Sequence, residues 1–175
     1  MAKKLVILGA GESGVGTALL AKQKGYDIFV SDASARGASL SIVNHPVSTP
    51  HILVGDVLLA LAKLAAYVRR ELKDLKVIGI TGSQGKTTTK DLLLSILTAE
   101  GETVASIGSF NNELGVPLTI LRCTKESKYC ILEMGARNSG DIASLTAIAS
   151  PDVGAVLKVG NAHIGQFGSQ EMIAK

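Results

Sequence analysis

The sequence predicts an α/β protein in which a Rossmann-like βαβ unit is followed by a parallel, helix-covered P-loop sheet. Short apolar runs of strand length alternate with segments whose apolar residues recur at helical spacing, and such alternation is typical of parallel sheets. Glycine-rich turns follow two of the apolar runs, at residues 9–14 and 81–88. We therefore expect residues 1–47 to form the Rossmann-like unit and residues 48–175 to form the larger sheet.

The N-terminal residues have the pattern of one βαβ unit. Residues 5–8 and 27–31 are apolar enough for strands, and residues 15–24 form a helical pattern that Gly25 closes. From residue 33 to 50 the chain is rich in Ser, Ala, Gly, Asn, Pro and Thr, which indicates loops with one short strand at 40–43. We place a junction near residues 44–51.

Helices and strands alternate through the rest of the chain. Asp56 is a suitable N-cap for an amphipathic helix that runs to about Leu72. The polar cluster of residues 110–117 precedes a glycine and a proline, which indicates a loop. The other predicted elements are strands at 76–80, 103–107, 128–133 and 152–158 and helices at 86–100 and 139–150.

Composition excludes several classes of protein. The net charge is only +3, with three Phe and three Tyr, so nucleic acid is not expected as a partner. Cys123 and Cys130 lack the spacing of a zinc site or a disulfide framework and are expected to be reduced core residues. The longest apolar stretch, 57–68, contains Lys63 and is too short to span a membrane. The apolar part of the N-terminus is too short for a secretion signal, so we expect a cytoplasmic protein.

Residues 81–88, with the sequence TGSQGKTT, have the pattern of a phosphate-binding loop between a strand and a helix. Backbone N–H groups and Lys86 can hold the phosphates of a nucleotide, and Thr87 can offer its hydroxyl to Mg²⁺. Ile80 replaces the first glycine of the general G-x-x-x-x-G-K-[ST] pattern, so the turn is a variant, and an ordinary strand-to-helix turn is the alternative. The predicted nucleotide-binding residues here are Thr81, Gly82, Ser83, Gln84, Gly85, Lys86, Thr87 and Thr88.

Other polar residues follow strands that end at the same edge of the predicted sheet. Ligands of open parallel sheets bind at the carboxyl ends of the strands. Glu133 ends one strand, and Asn161 and His163 follow another. A carboxylate there suits Mg²⁺, and an imidazole can hold a metal or a phosphate. The alternatives are a solvated strand end for Glu133 and a capping or core role for His163.

The chain resembles the central ATPase domain of the Mur ligases, the ATP-dependent amide-forming enzymes of peptidoglycan synthesis, in four segments that occur in the family's order. These segments are TGSQGKTTTK, FNNELGVPLT, LEMGARNSGDI and KVGNAHIGQFGS. The similarity runs from about residue 52 to 175. It is greatest for the ligases that join D-alanyl-D-alanine to UDP-N-acetylmuramoyl-tripeptide.

The resemblance implies that ATP phosphorylates the terminal carboxylate of the UDP-linked tripeptide and that the amine of D-alanyl-D-alanine then displaces the phosphate. By the same resemblance, Lys86 holds the ATP phosphates, Thr87 and Glu133 bind Mg²⁺, and His163 binds a second Mg²⁺. The catalytic residues are then Lys86, Glu133 and His163. The residues implied to line the phosphate and substrate region and to support the His163 loop are Asn111, Asn112 and Asn161.

Residues 1–34 resemble a different member of the family, the D-glutamate-adding ligase, whose N-terminal glycine turn binds the UDP end of the substrate. The residues implied for this role are Gly9, Gly11, Ser13, Gly14 and Asp32. Such a turn with an acidic residue about twenty positions later also fits a dinucleotide site, and a purely structural turn is the third alternative. Because the two ligases have N-terminal domains of different fold, the combination suggests a chimera.

Three functional hypotheses follow. The chain is part of a Mur-type amide ligase, or an engineered or recombined scaffold that binds nucleotide without turnover, or a dinucleotide-dependent oxidoreductase. The family resemblance leads us to expect further residues beyond Lys175, including a third domain that closes over ATP. We therefore expect the chain alone to lack part of the ligase machinery, and its oligomeric state is not predicted.

Overall fold

The computed structural model describes residues 3–8, 26–31, 41–43, 51–160, 168–169 and 173, with side chains from residue 52 onward. The chain divides into two compact units, Met1–Leu61 and Ala62–Lys175. The domain boundary predicted between residues 47 and 48 stays a prediction. In the described residues, no helix has both the length and the apolarity that a membrane span requires.

The described residues of the first unit form two pairs of parallel strands. β1 (Lys3–Leu8) pairs with β2 (Tyr26–Ser31), and β3 (Ser41–Val43) pairs with β4 (His51–Leu53). Parallel pairing of β1 with β2 agrees with the predicted βαβ unit, because a parallel connection requires a crossover between the strands. The predicted turn and helix at residues 9–24 lie outside the described residues.

The second unit is a parallel sheet with helices on both faces, and this confirms the predicted fold class. Helix α1 (Val57–Glu71) precedes the unit's first strand and begins at the predicted cap, since the Leu59 N–H donates to Asp56 Oδ1 at 3.0 Å. The elements after it, in chain order, are β5 (Lys76–Thr81), α2 (Lys86–Leu97), β6 (Thr103–Ala105), α3 (Gly115–Ile120), β7 (Tyr129–Glu133), α4 (Asp141–Ala149) and β8 (Val153–Val156).

The strand order of this sheet is β6-β7-β5-β8, and every neighbouring pair is parallel. β5 is therefore an inner strand with β7 on one side and β8 on the other. Ile80 of β5 is in register with Glu133 of β7, and Thr81 of β5 is in register with Val156 of β8. The carboxyl ends of the three strands consequently meet beside the turn that leads into α2.

Alternating side chains of the strands supply a core on each face of the sheet. One core includes Val77, Cys130 and Leu132 with residues of α1, α3 and α4. The other is built on Ile80, Ala105 and Ile131, against which the apolar face of α2 packs. Burial on both faces explains why these strands are continuous apolar runs.

A polar clamp ties α1 to the connection between α4 and β8. Arg69 of α1 donates hydrogen bonds to the carbonyl oxygens of Ala149 and Ser150 and to Asp152 Oδ2. Asp152 also bonds to the backbone of β5, because the Val77 N–H donates a hydrogen bond to Asp152 Oδ2 at 2.8 Å. This hydrogen bond, together with the charges of Arg69 and Lys76, lowers the pKa of Asp152 below its ordinary value.

The two cysteines are buried free thiols, as expected. A hydrogen bond with Cys123 and complete burial raise the pKa of the Cys130 thiol well above its usual range. A thiol in such an environment is protonated and unreactive at neutral pH. Their contribution to the molecule is therefore packing in the core that includes Val77 and Leu132.

Four element predictions need correction. Residues 115–120 form α3, whereas the sequence pattern predicts a loop throughout 110–117, and β4 lies where the pattern predicts only a junction. Helix α2 ends at Leu97 rather than residue 100, because the N–H groups of Ala99 and Glu100 bond to carbonyls three residues back. Strand β8 ends at Val156, two residues before its expected end.

Candidate functional site

The turn between β5 and α2 is built on two glycines with positive φ. The φ angles are 135° at Gly82 and 85° at Gly85, a region that other residues rarely adopt. A Cβ at Gly82 would also lie 2.8 Å from Leu157 Cβ. The turn brings the chain directly from the end of β5 to the N-terminus of α2, where unpaired N–H groups favour an anion.

Lys86 and Thr87 are the first two residues of α2. The Lys86 side chain folds back over the turn, and its Nζ donates to the carbonyl oxygen of Gly82 at 2.7 Å. Its ammonium thus lies above the turn that the phosphate-loop pattern identifies. Thr87 directs its hydroxyl toward the neighbouring strand β7.

Glu133, the last residue of β7, accepts a hydrogen bond from the Thr87 hydroxyl. It is 2% exposed. Its Oε2 accepts a hydrogen bond from Thr87 Oγ1 at 2.9 Å, and its Oε1 accepts one from Asn111 Nδ2 at 2.8 Å. Two donors, one from helix α2 and one from the loop before α3, offset the cost of burying the carboxylate and fix its orientation.

The two asparagines of the 110–117 segment have different partners. Asn111 reaches Glu133, and its backbone oxygen also accepts the Gly135 N–H at 2.7 Å. Asn112 Oδ1 instead accepts the N–H groups of Leu114 and Gly115, which begin α3. The predicted role of Asn112 in lining the phosphate region stays a prediction, and in this structure its amide oxygen orients α3.

Ser83 connects the turn to the segment that follows β8. Its backbone N–H donates to the Lys158 carbonyl at 3.0 Å, and its Oγ accepts the Gly160 N–H at 2.8 Å. Residues 158–160 lead into the segment that contains Asn161 and His163. The turn after β5 and the chain after β8 are therefore joined at the same edge of the sheet.

The remaining predicted site residues divide into two groups. Thr81 ends β5 and accepts the Leu157 N–H, while Gln84 and Thr88 are exposed at the turn and on α2. The predicted residues that lie outside the described part of the chain are Asn161, His163, Gly9, Gly11, Ser13, Gly14 and Asp32.

The donor set at Thr87 and Glu133 is suitable for Mg²⁺. A hydroxyl and a carboxylate oxygen 2.9 Å apart are hard oxygen ligands, and Mg²⁺ in nucleotide sites is held by one or two such side chains together with phosphate oxygens. Within the described residues no group of three or more His, Cys, Asp and Glu could hold a metal ion. Thr87 and Glu133 together match the small number of protein ligands that Mg²⁺ has in nucleotide sites.

Two residues beside the site are missed by the sequence analysis. Lys90 and Ser106 are buried and bonded to each other, and Ser106 Oγ accepts the Glu133 N–H at 3.1 Å. A signal for Lys90 is present in the sequence, because a lysine four residues after Lys86 lies on the same helix face as Lys86 and the apolar leucines. No comparable signal identifies Ser106.

The fold and the site define an α/β protein with a phosphate-loop turn at the carboxyl edge of a parallel sheet. Residues 80–175 match the family model of the Mur ligase middle domain. This match spans more than half of the 175 residues, and the chain belongs to the Mur ligase family.

Two of the similar curated proteins have the same name. The UDP-N-acetylmuramoyl-tripeptide–D-alanyl-D-alanine ligase of Mycobacterium tuberculosis is 47% identical over an alignment that covers 89% of this chain and 35% of the ligase. The ligase of the same name from Escherichia coli is 38% identical, with 84% of this chain and 33% of the ligase covered. The chain thus spans about a third of the length of these relatives.

Solved structures agree with this family assignment. A crystal structure of MurF from Acinetobacter baumannii matches with a TM-score of 0.76 and 33% identity, covering 99% of this chain and 37% of that one. The MurF ligase of Thermotoga maritima in complex with ADP matches with a TM-score of 0.72 and 31% identity, covering 99% of this chain and 39% of that one.

Proposed function

We propose that this chain forms the ATP-binding part of a ligase that joins D-alanyl-D-alanine to UDP-N-acetylmuramoyl-tripeptide. The observation that supports this most directly is the contact between Thr87 Oγ1 and Glu133 Oε2 beside the phosphate-loop turn. Relatives of that name from Mycobacterium tuberculosis and Escherichia coli are 47% and 38% identical, and a related MurF structure contains ADP.

In the proposed reaction, the γ-phosphoryl group of ATP moves to the terminal carboxylate of the tripeptide and ADP leaves. The amine of D-alanyl-D-alanine then attacks the carbonyl carbon of the acyl phosphate, the C–O bond to phosphate breaks, and the amine loses a proton. The products are the amide, ADP and inorganic phosphate. Most of the catalysis comes from positioning and charge neutralisation.

Each residue has a specific task in this scheme. Lys86 and the N–H groups of the turn hold the phosphates. Thr87 and Glu133 would hold Mg²⁺, and the bound cation would supply positive charge to neutralise the phosphoryl oxygens. Asn111 keeps the Glu133 carboxylate turned toward α2. His163 is proposed to hold a second Mg²⁺, and Asn161 to support its loop, on the family resemblance.

The test measures ADP release by a complete protein that contains this chain. ATP is supplied alone, with either substrate, and with both UDP-N-acetylmuramoyl-tripeptide and D-alanyl-D-alanine. Rapid release only in the complete mixture is the expected result. ADP release that does not depend on D-alanyl-D-alanine would exclude the ligase. ATP binding without release in any mixture would instead support the alternative, a nucleotide-binding scaffold without turnover.

For the first unit we propose that the turn at residues 9–14 binds the UDP end of the substrate, with Asp32 near the ribose or uracil. The parallel pairing of β1 with β2 supports a crossover between them. Calorimetric titration with UDP and with NADH tests this proposal, because binding of NADH but not UDP would favour the dinucleotide alternative. A chimeric origin stays a prediction, and the match of 89% of the chain to one ligase favours a single origin.

A further inference from the structure

The nucleotide site contains a buried ammonium group that the proposed mechanism does not use. Among the residues whose side chains the structure describes, only two charged residues are buried, Lys90 at 5% exposure and Glu133 at 2%. Lys90 lies in the N-terminal half of α2, and Glu133 contacts the same end of this helix through Thr87. Burial of an ammonium group is costly unless it is paired, so the position of Lys90 needs an explanation.

Helix geometry places Lys90 on the same face of α2 as the phosphate-loop residues. Lys90 follows Lys86 by four residues and Thr87 by three, and residues at these spacings lie on one side of a helix. Farther along this face, Leu93, Leu94 and Leu97 pack against the sheet. Lys90 therefore occupies the boundary between the phosphate-binding end of the helix and its apolar contact with the strands.

The Lys90 ammonium bonds to the end of β6. Its Nζ donates to the carbonyl oxygen of Ser106 at 3.1 Å and pairs with the carboxylate of Asp91 at 2.9 Å. The Asp91 side chain is 62% exposed, so the buried contact is the one with Ser106. This bond attaches the helix to the residue that follows β6.

Ser106 in turn holds Glu133. Its N–H donates to the Ile131 carbonyl at 3.0 Å, and its Oγ accepts the Glu133 N–H at 3.1 Å. The Glu133 carboxylate then accepts the Thr87 hydroxyl, which returns the connection to α2. Lys90, Ser106, Glu133 and Thr87 form a closed ring of contacts, which we call the Lys90 ring.

We propose that Lys90 is a positioning residue of the nucleotide site, which holds Ser106 so that the Glu133 carboxylate stays at the correct distance from Thr87 for Mg²⁺. This inference rests on the proposed function, because it assigns Glu133 and Thr87 to the metal. Lys86 and the N–H groups of the turn do not belong to the ring. The ring therefore controls the Mg²⁺-dependent part of nucleotide affinity and leaves the Mg²⁺-independent part intact.

The experiment compares the 175-residue chain with Lys90→Met, which keeps the length of the side chain and removes its ammonium. Calorimetry measures the affinity for the non-hydrolysable β,γ-imido analogue of ATP, first with EDTA and then with Mg²⁺. We expect unchanged affinity in EDTA and a loss of about tenfold to hundredfold in the affinity gained from Mg²⁺, as for other residues that support metal ligands.

Three further variants make the comparison specific. Lys128→Met is a matched control, because the Lys128 Nζ also donates to a backbone carbonyl, that of Glu100, at 3.0 Å but on an exposed surface. We expect Lys128→Met to leave the affinity for the ATP analogue unchanged, both with EDTA and with Mg²⁺. Lys90→Arg restores a donor and is expected to recover part of the Mg²⁺ effect. Ser106→Ala removes the hydroxyl that accepts the Glu133 N–H and should reproduce the loss.

The outcomes separate this inference from the proposed function. If the wild-type chain binds the analogue and Lys90→Met gains as much affinity from Mg²⁺, the role of Lys90 is wrong and the proposed function stands. If Lys90→Met lost the same factor of affinity for the analogue with EDTA as with Mg²⁺, the proposed role of Lys90 would also be wrong. If the wild-type chain binds no nucleotide, both proposals fail. If Lys90→Met does not fold by circular dichroism, Ser106→Ala decides, and an unchanged Mg²⁺ effect in that variant overturns the inference.

Discussion

Neighbouring side chains hold the Glu133 carboxylate in one orientation. Both of its carboxylate oxygens accept hydrogen bonds, from Thr87 and Asn111. A carboxylate has about four acceptor positions, so two donors orient the group without using all of its capacity for a cation. In the proposed metal-binding role, the carboxylate would need little reorganisation, which is the arrangement that electrostatic catalysis favours.

Lys86→Ala should weaken nucleotide binding. The ammonium of Lys86 lies over the turn, and loss of a hydrogen bond to a charged group costs about 1.5–3 kcal/mol, or about tenfold to a hundredfold in affinity. Calorimetry with ATP and Mg²⁺ measures the change. Lys73→Ala is the control, because Lys73 is exposed before β5, at the other end of the strand. Equal affinities of Lys86→Ala and wild type would contradict the phosphate-loop assignment.

Asp152 should make the stability of the chain sensitive to acid. Its pKa in the folded state is lowered, first by the Val77 N–H and then by Arg69 and Lys76. A carboxyl with a lowered folded-state pKa stabilises the protein at pH above its unfolded-state pKa, and this contribution is lost as the pH falls through the folded-state pKa. The side chain is 30% exposed, so solvent screening limits the contribution of its ion pairs to about 1 kcal/mol or less.

Urea unfolding between pH 7 and pH 3 tests this prediction with Asp152→Asn. The variant should be less stable than wild type at pH 7, and the difference should shrink as the pH approaches 3. Asp74→Asn is a suitable control, since Asp74 is an exposed aspartate before β5. If the difference in unfolding free energy between wild type and Asp152→Asn were the same at every pH, the charge of the carboxylate would not contribute to stability.

At the scale of elements, strands are easier to predict than short helices. The inner strands β5 and β7 contribute side chains to the cores on both faces of the sheet and therefore appear as apolar runs in the sequence. Helix α3 has six residues and includes Gly115 and Pro117, which are signals of loops in isolation. Pro117 is tolerated because it lies in the first turn, where its missing N–H has no helical partner, and tertiary packing of Val116 and Ile120 stabilises the helix.

Gly115→Ala should destabilise the chain through α3. A Cβ at this position would collide with the backbone of Phe110, so the helix and the segment with Asn111 must separate. Such overpacking costs about 1–3 kcal/mol, which urea unfolding can measure. Gly154→Ala is the control, because a Cβ there meets nothing within 4 Å. Equal stabilities of the two variants would show that the approach of α3 to Phe110 is not restrictive.

The candidate site is predictable from sequence as far as it depends on which strand ends share an edge. The rule that ligands bind at the carboxyl ends of parallel strands brings Glu133 to the phosphate loop, and the register of Ile80 with Glu133 agrees with it. The distances among Thr87, Glu133 and Asn111 are not predictable in this way, because they depend on loop conformation. The contact between Lys90 and Ser106 is also not predictable from sequence, because the lysine bonds to a backbone carbonyl, which every residue type has.

At the scale of the whole molecule, nucleotide should stabilise the folded state. A ligand at a hundredfold excess over its Kd contributes about 2.7 kcal/mol, which corresponds to a rise in Tm of about 5–10 °C for a chain of this length. The chain has no Trp, so circular dichroism is the appropriate readout. At the same concentration, the β,γ-imido ATP analogue with Mg²⁺ should raise the Tm of wild type clearly more than that of Lys86→Ala. An equal rise in both would place the binding elsewhere.

The contact between Ser83 and Gly160 also has a consequence for how the chain acquires its binding site. These residues are 77 positions apart in the sequence, and contacts of such separation form late because loop closure must precede them. The turn contains all of its own phosphate-binding residues, yet it is secured only when β8 has joined the sheet beside β5. During synthesis, nucleotide recognition should therefore be acquired after residue 160 has left the ribosome, and during refolding it should recover with the slowest phase that restores the sheet.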